Sequence, residues 1–493
     1  MKNVGKKMAV GAVWMVLFRF LEKGIGLVST IILVRLLVPE DFGVVALATA
    51  TIAMLELMSA FGFDWALIQN QKATRKEYGT AWTYNVIFAI LSAAILALLA
   101  IPAAGFYSEP RLEDVMYLLA IGVLINGFEN IGIVAFRKEM TFDKEFRFLL
   151  GKKLAGFFVV IPLAFILENY WALIIGMLAA RLYGLIASYV LHPYRPCLSL
   201  AATSKLINFS KWILINNIFN FVRMRAPDLV IGRMLGTAQL GVYTVSFEIS
   251  NMVTTELIAP INRAVYPGYA ALTHDKKAFS DNFLMVIVYI TMFALPAGIG
   301  MLAIAELFVH VVLGQKWIEA IPLIKILAVY GALTALQTNI SYVYVAYGKP
   351  NISVYLTGIF IVISIPLLLF FIQTDGLVGA ANAYFIATSI TLPIYFYIVS
   401  KNMLFSVLDL LKAIWRTIAA TFIMYVSVSS FVIWATIEGP IYIQIIKLAI
   451  ALLIGVLSYV VSLYLLWSID KSGKPEKQVI DKVLGIIRKQ TTQ

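Results

Sequence analysis

Long apolar runs alternate with short polar breaks from one end of the chain to the other. A helix that crosses the hydrocarbon core of a bilayer needs about 20 apolar residues. Runs of that length predict about 14 transmembrane helices, over roughly 9–37, 42–63, 82–105, 115–135, 149–167, 171–191, 207–232, 240–265, 283–313, 319–347, 352–372, 377–399, 412–436 and 441–467. The runs 283–313 and 319–347 are long enough to end in short loop helices. None shows the alternating period of a membrane barrel. The fold class expected is an all-α integral membrane protein, and no break is long enough to hold a soluble domain.

The breaks divide by charge. "QKATRKEYG", "RKEMTFDKEFR", "HPYRPCLSLAATSK", "THDKKAFSD" and the C-terminal tail are basic, whereas "ENY", "QTDG" and "EGP" contain no Lys or Arg. Placing the N-terminus inside puts about 25 basic residues on the inner side and about 4 on the outer. This predicts an even number of crossings and both termini cytosolic. Arg19, Glu22 and Lys23 interrupt the first run, and no small-residue cleavage site follows. The N-terminus therefore reads as a retained span, not a signal peptide.

The chain also repeats itself. "RLLVPEDFGVVAL" from Arg35 and "RMLGTAQLGVYTV" from Arg233 share a register. At an offset of about 198 residues, Lys7 falls on Lys205, Trp14 on Trp212, Arg35 on Arg233 and Gly43 on Gly241. Arg19 and Glu22 fall on Asn217 and Asn220. The offset spans an even number of crossings, so equivalent helices point the same way. The expected layout is two six-helix lobes in parallel pseudo-repeat: an N-lobe over 1–200 and a C-lobe over 201–400. Helices 13 and 14 follow over 401–470, then a basic amphipathic tail over 471–493, suited equally to the inner leaflet or to a solvated, partly disordered end. Gly43 and Gly241 follow short turns at the outer ends of equivalent helix pairs, where glycine permits the turn and a close helix approach; simple turn glycines are enough to explain them.

Composition narrows the chemistry. Of 493 residues, 61% are hydrophobic and 13% charged, with a net charge of +12. In a membrane protein that surplus marks cytosolic loops and gives no reason to expect nucleic acid. Cys197 is the one cysteine, which excludes an intramolecular disulfide and a Cys-cluster metal site; it reads as a small apolar filler. No DxD motif, no P-loop and no catalytic grouping of His192, His274 and His310 is present, so the chain is not expected to be an enzyme.

A charge at mid-bilayer costs about 2.5–3.5 kcal/mol on insertion scales, so such residues face a cavity or a partner. Lys152, Lys153, Lys325, Arg416 and Lys447 lie near predicted helix ends and read as snorkelling side chains. Deeper charges form stripes. The candidate substrate-binding residues are Arg19, Lys23, Arg181, Asn216, Asn220, Arg223 and Arg225. Arginine suits phosphate, which its planar fork grips through two hydrogen bonds. The candidate ion-coupling carboxylates are Glu22, Glu56, Glu129, Asp228, Glu248 and Glu256, titrating a proton or holding Na⁺; no other cofactor and no metal is expected. Arg19–Glu22 and Arg225–Asp228 are equally readable as structural ion pairs.

The segments "FGFDWALIQNQKATRKEYGTAWTYN", "FYSEPRLEDVMYLLAIGVLINGFENIGIVAFRKEM", "FSKW…RAPDLVIGRMLGTAQLGVYTVS" and "APINRAVYPGYAAL" resemble the polysaccharide transporter (Wzx-type) family of the MATE-like MOP superfamily, in its colanic-acid-exporter-like branch. The resemblance covers about residues 1–400. It implies a MATE-like flippase that carries undecaprenyl-diphosphate-linked oligosaccharide across the cytoplasmic membrane by alternating access. It also implies membrane lipids, a polysaccharide polymerase and glycosyltransferases as partners. By position, the family's basic cavity would be carried here by Arg19, Lys23, Arg223 and Arg225. An Arg225–Asp228 pair would neutralise itself, a departure from that role. Two rivals are a multidrug or cation antiporter of the same superfamily, which would want an acidic, aromatic cavity, and a membrane glycosyltransferase or polymerase.

Overall fold

A computed structural model describes residues 2–56, 67–68, 73–403, 405–435 and 439–469. Among the described residues every regular element is helical. Fourteen α-helices are named among the described residues: α1 (Lys2–Leu36), α2 (Pro39–Glu56), α3 (Arg75–Tyr107), α4 (Arg111–Gly127), α5 (Val134–Lys138), α6 (Phe142–Leu167), α7 (Trp171–Leu191), α8 (Thr203–Leu235), α9 (Thr237–Ala271), α10 (Lys276–Phe308), α11 (Ala320–Ala346), α12 (Pro350–Asn402), α13 (Val407–Ala435) and α14 (Ile441–Ile469). The expected basic tail over 471–493 lies outside the described residues.

Local chemistry sets the boundaries. Pro39 opens α2, where its missing N–H costs nothing, and the Asp41 carboxylate accepts the Val38 N–H at 3.1 Å. Glu77 reaches back from the first turn of α3 to accept the Thr74 N–H at 2.9 Å and the Thr74 hydroxyl. Asp275 caps α10 by accepting the Lys277 and Ala278 N–H groups, each at 3.0 Å. The predicted "QTDG" turn divides α12 into two arms at Gly376, whose φ of 59° and ψ of −132° leave the helical region. The two long runs do end in loop helices: α10 closes in a π-turn at Val309–Leu313, and a 3₁₀ turn at Gln315–Trp317 precedes α11.

Two expectations change. The span 115–135 is not one straight helix: α4 ends at Gly127, and the pieces on either side of Phe128–Asn130 are bent by 60°. Asn130 is fully buried with an extended backbone; its side chain accepts the Gly132 N–H and donates to the Tyr194 carbonyl at 2.6 Å. Those bonds hold the chain out of the helix. The run 149–167 starts earlier, at Phe142, so Lys152 and Lys153 lie well inside α6 and not at its end.

Eight of the described helices are long and apolar enough to span a membrane by composition alone. α1, α2, α8 and α9 are not among them. These are the opening pairs of the two repeats, and they carry the polar stripes.

Two compact units divide the chain, 1–244 and 245–493. In the first, α3 packs on α4, α6 on α7, and α1 on α6. Leu33, Leu37, Val160, Ala164 and Ala172 close the α1–α6–α7 junction. In the second, α10, α11 and α12 share an aromatic core that includes Phe279, Phe283, Tyr344 and Phe396. α13 and α14 pack on α10 through Met292, Ala420 and Leu463.

The repeated phrase meets its own echo within the first unit. A Cβ added at Gly43 would lie 1.8 Å from the Thr237 carbonyl oxygen, and one at Gly241 would lie 1.8 Å from the Pro39 carbonyl oxygen. At the repeat offset Pro39 is the counterpart of Thr237, and Gly43 of Gly241. Each hairpin therefore offers its glycine to the other's helix start, the reciprocity of an isologous two-fold contact. The two glycines are close-approach positions, and the turn itself does not require them.

A polar cluster surrounds this crossing. Arg111 grips Glu109 through two hydrogen bonds of 2.7 and 2.8 Å, and Thr237 donates to the same carboxylate at 2.9 Å. Arg111 also lies over the Tyr170 ring, and the Tyr170 N–H donates to Asp41 at 3.1 Å. The Arg111 hydrogen bonds hold the Glu109 carboxyl below the usual carboxylate range. Burial pushes the Asp41 carboxyl up, against the backbone N–H groups it accepts.

Gly43→Ala and Gly241→Ala should each destabilise the purified protein by about 1–3 kcal/mol, as overpacked sites do. The double variant should lose less than the sum, because both clash at one crossing. Gly24→Ala, with nothing within 4 Å, is the control for thermal unfolding in detergent; equal midpoints for all four proteins would contradict the close approach. Glu109→Gln should cost about 1 kcal/mol at pH 7, a value reduced for the partial exposure of Arg111. A carboxylate held low stabilises the folded form above its unfolded value and loses that contribution as pH falls through the folded one. The gap between wild type and variant should therefore close in acid; a constant gap from pH 7 to 3 would refute the pairing.

Candidate functional site

Charges inside the first unit lie on α1, α4, α6 and α7, where α6 packs on α1 and on α7, and α4 packs on α7. On α1, Arg19 donates to Glu22 at 3.1 Å, and Lys23 is half-buried beside them. On α6, Lys152 reaches Glu129, just beyond α4, at 2.8 Å. The pair lies over Gly184 of α7: a Cβ there would come within 2.8 Å of the ammonium and 2.9 Å of the carboxylate. Arg181, nearly one turn earlier on α7, crosses the bare face of Gly122, whose added Cβ would stand 3.2 Å from a guanidinium nitrogen. Lys153 points the other way, its ammonium 3.9 Å from where a Cβ of Gly26 would be. The layer holds Arg19, Lys23, Lys152, Lys153 and Arg181 against Glu22 and Glu129. It is cationic.

On α8, Arg225 donates to Asp228 at 2.9 Å, and Asp228 is buried. The self-neutralising pair read in the sequence is formed. Arg223 is half-buried and Asn220 exposed on the same helix. Glu248 is exposed and belongs to the second unit. The side chains of Glu56, Asn216 and Glu256 lie outside the described part of the structure. So the structure joins Arg19 with Glu22, Arg225 with Asp228, and Glu129 with a lysine that had not been paired with it.

Three readings of side chains are corrected. Lys152 does not snorkel: it is held by Glu129. Arg416 is only 4% exposed and lies beside Trp415, so it is packed within the second unit. Cys197 is exposed, not an interior filler. The signal that locates the lysines was present in the sequence. Gly122 and Gly184 fall on α4 and α7, where side-chain-free backbone makes room for long charged side chains.

The second unit holds a different feature. α10, α13 and α14 line a cavity of about 950 Å³, large for a small-molecule site. Pro296, Ala297 and Gly300 of α10 face Ala451, Leu452 and Gly455 of α14, with Met424 and Val428 of α13 between them. Its wall is almost wholly apolar. Among the described residues no group of acidic, His or Cys side chains is placed to hold a metal ion.

These features define a polytopic α-helical membrane protein with a cationic layer among the helices of one unit and an apolar cavity in the other. The chain belongs to the polysaccharide biosynthesis protein family, which matches residues 32–322. It is 24% identical to the lipopolysaccharide biosynthesis protein WzxC of Escherichia coli (strain K12), across 82% of each chain. It is 27% identical to the succinoglycan biosynthesis transport protein ExoT of Rhizobium meliloti (strain 1021), across 67% of each. Among solved structures, the lipid II flippase MurJ in an inward closed conformation superposes with a TM-score of 0.73. That match covers 93% of this chain and 99% of the other at 12% identity, so it shows a common fold.

Proposed function

We propose that this protein is a flippase, and not an enzyme. It moves lipid-diphosphate-linked oligosaccharide repeat units from the cytosolic to the outer leaflet of the cytoplasmic membrane, for exopolysaccharide, O-antigen or teichuronic-type synthesis. The observation that carries this reading is one chain holding a cationic layer and an almost wholly apolar cavity. A polyprenyl diphosphate has the same two parts. The names of its relatives, a lipopolysaccharide biosynthesis protein and a succinoglycan transport protein, agree with it. A cationic drug antiporter would want the opposite charge. Both termini lie in the cytosol, a reading that the basic breaks support, and the two lobes alternate access to the substrate. A glycosyltransferase supplies the substrate and a polymerase consumes it. The membrane carboxylates, Glu22 and Glu129 among them, couple transport to a proton or Na⁺.

Lipid tails are as apolar as the cavity, so the cavity gains little from hydrophobic transfer and selects by shape. Filling it with Gly300→Leu plus Gly455→Leu should slow flipping of a full-length polyprenyl diphosphate oligosaccharide at least tenfold in reconstituted vesicles. A short-chain analogue should be spared. Failure of the wild-type protein to accelerate translocation of any such lipid would refute the function; equal rates in the filled variant would refute the cavity's part in it. In the same vesicles an imposed proton or Na⁺ gradient should change the rate. Full activity with neither gradient would remove the coupling.

A further inference from the structure

Lys152 and Lys153 are adjacent on α6, so their side chains leave the helix about 100° apart. Lys152 turns towards α7 and is neutralised by Glu129 at 2.8 Å. Lys153 turns towards α1 and ends 3.9 Å from the point where a Gly26 side chain would begin. Among the described residues Lys153 has no hydrogen-bond or ion-pair partner. It is half-buried, well inside α6. Lys23 lies one turn before Gly26 on the same face of α1, and Thr30 one turn after it.

An ammonium left in the hydrocarbon without an anion is costly, about 2.5–3.5 kcal/mol on insertion scales. Nothing in the fold forces Lys153 to bear that cost, because its neighbour Lys152 shows how a carboxylate is supplied when one is wanted. The bare backbone at Gly26 leaves space in front of the ammonium where any other residue would put carbon. Other cations of the layer already have an intramolecular carboxylate: Glu22 for Arg19 and Glu129 for Lys152.

We infer that Lys153, facing Gly26 of α1, is a direct contact for the phosphate-bearing headgroup of the transported lipid, a residue that neither helix-end snorkelling nor structural pairing accounts for. This rests on the flippase reading. The shared chemistry is a lipid phosphate, whose two sources are a polyprenyl diphosphate and the bulk anionic phospholipid.

The test uses full-length protein in nanodiscs of phosphatidylcholine, titrated with farnesyl diphosphate in one arm and with phosphatidylglycerol in the other. Lys153→Gln should weaken farnesyl diphosphate binding at least tenfold, and Lys153→Arg should stay within about threefold of wild type. Phosphatidylglycerol binding should be unchanged by either. Retention of farnesyl diphosphate affinity in Lys153→Gln overturns the inference, as does an equal loss for both lipids. Loss in Lys153→Arg as large as in Lys153→Gln also overturns it, by assigning the residue to folding. The two readings fail separately. Wild-type flipping with an equally active Lys153→Gln sinks this contact and leaves the flippase standing. Lysine-dependent binding with no wild-type flipping does the reverse.

Discussion

Close approach at residues without a side chain is the constraint on which the interior of the first unit depends. A charge inside a membrane needs a partner at hydrogen-bond distance, and a long side chain needs room to reach it. Gly184 gives that room to Lys152 and Glu129, Gly122 gives it to Arg181, and Gly26 leaves it open before Lys153. The same device brings backbones together where Gly43 and Gly241 cross. Between lipid-solvated helices, packing and polar contacts replace the hydrophobic drive that water supplies to soluble proteins. A methyl group at any of these positions therefore acts on a charged side chain or a crossing, and not simply on a void.

Helix number and order were legible because they depend only on the length of apolar runs. Each of the fourteen runs has a helix or helix arm in the structure, with 115–135 broken at Phe128–Asn130. That break was hidden because Asn130 is held by Tyr194, 64 residues further on. The start of α6 was hidden because Phe142–Arg147 is polar enough to pass for a loop, and losing it moved Lys152 and Lys153 to a false helix end. The pairs Arg19–Glu22 and Arg225–Asp228 could be read, since an i,i+3 spacing fixes them within one helix. The pair Glu129–Lys152 could not, because it joins separate elements through a bend that the periodicity does not show.

The two kinds of ion pair have different mechanical consequences. An i,i+3 pair belongs to a single helix and stays neutral however that helix moves. Glu129–Lys152 ties the end of α4 to α6 across Gly184 of α7, so these three helices keep their pairing only as one body. Glu109 similarly ties the α3–α4 turn to the start of α9 through Thr237. Rearrangement within this unit is therefore resisted at its middle and at its hairpin end, while Arg19 and Glu22 on α1 travel together at no electrostatic cost.

Such pairs also bear on release. A carrier that met a diphosphate with cations alone would hold it too firmly, because attraction grows in a medium of low dielectric constant. A carboxylate placed beside a cation competes for it and takes over when the anion leaves. Glu22 and Glu129 are the carboxylates beside Arg19 and Lys152. Lys153 has no such carboxylate among the described residues. In a site built to let go, part of the charge is kept neutral in advance, and the rest is left to detect the cargo.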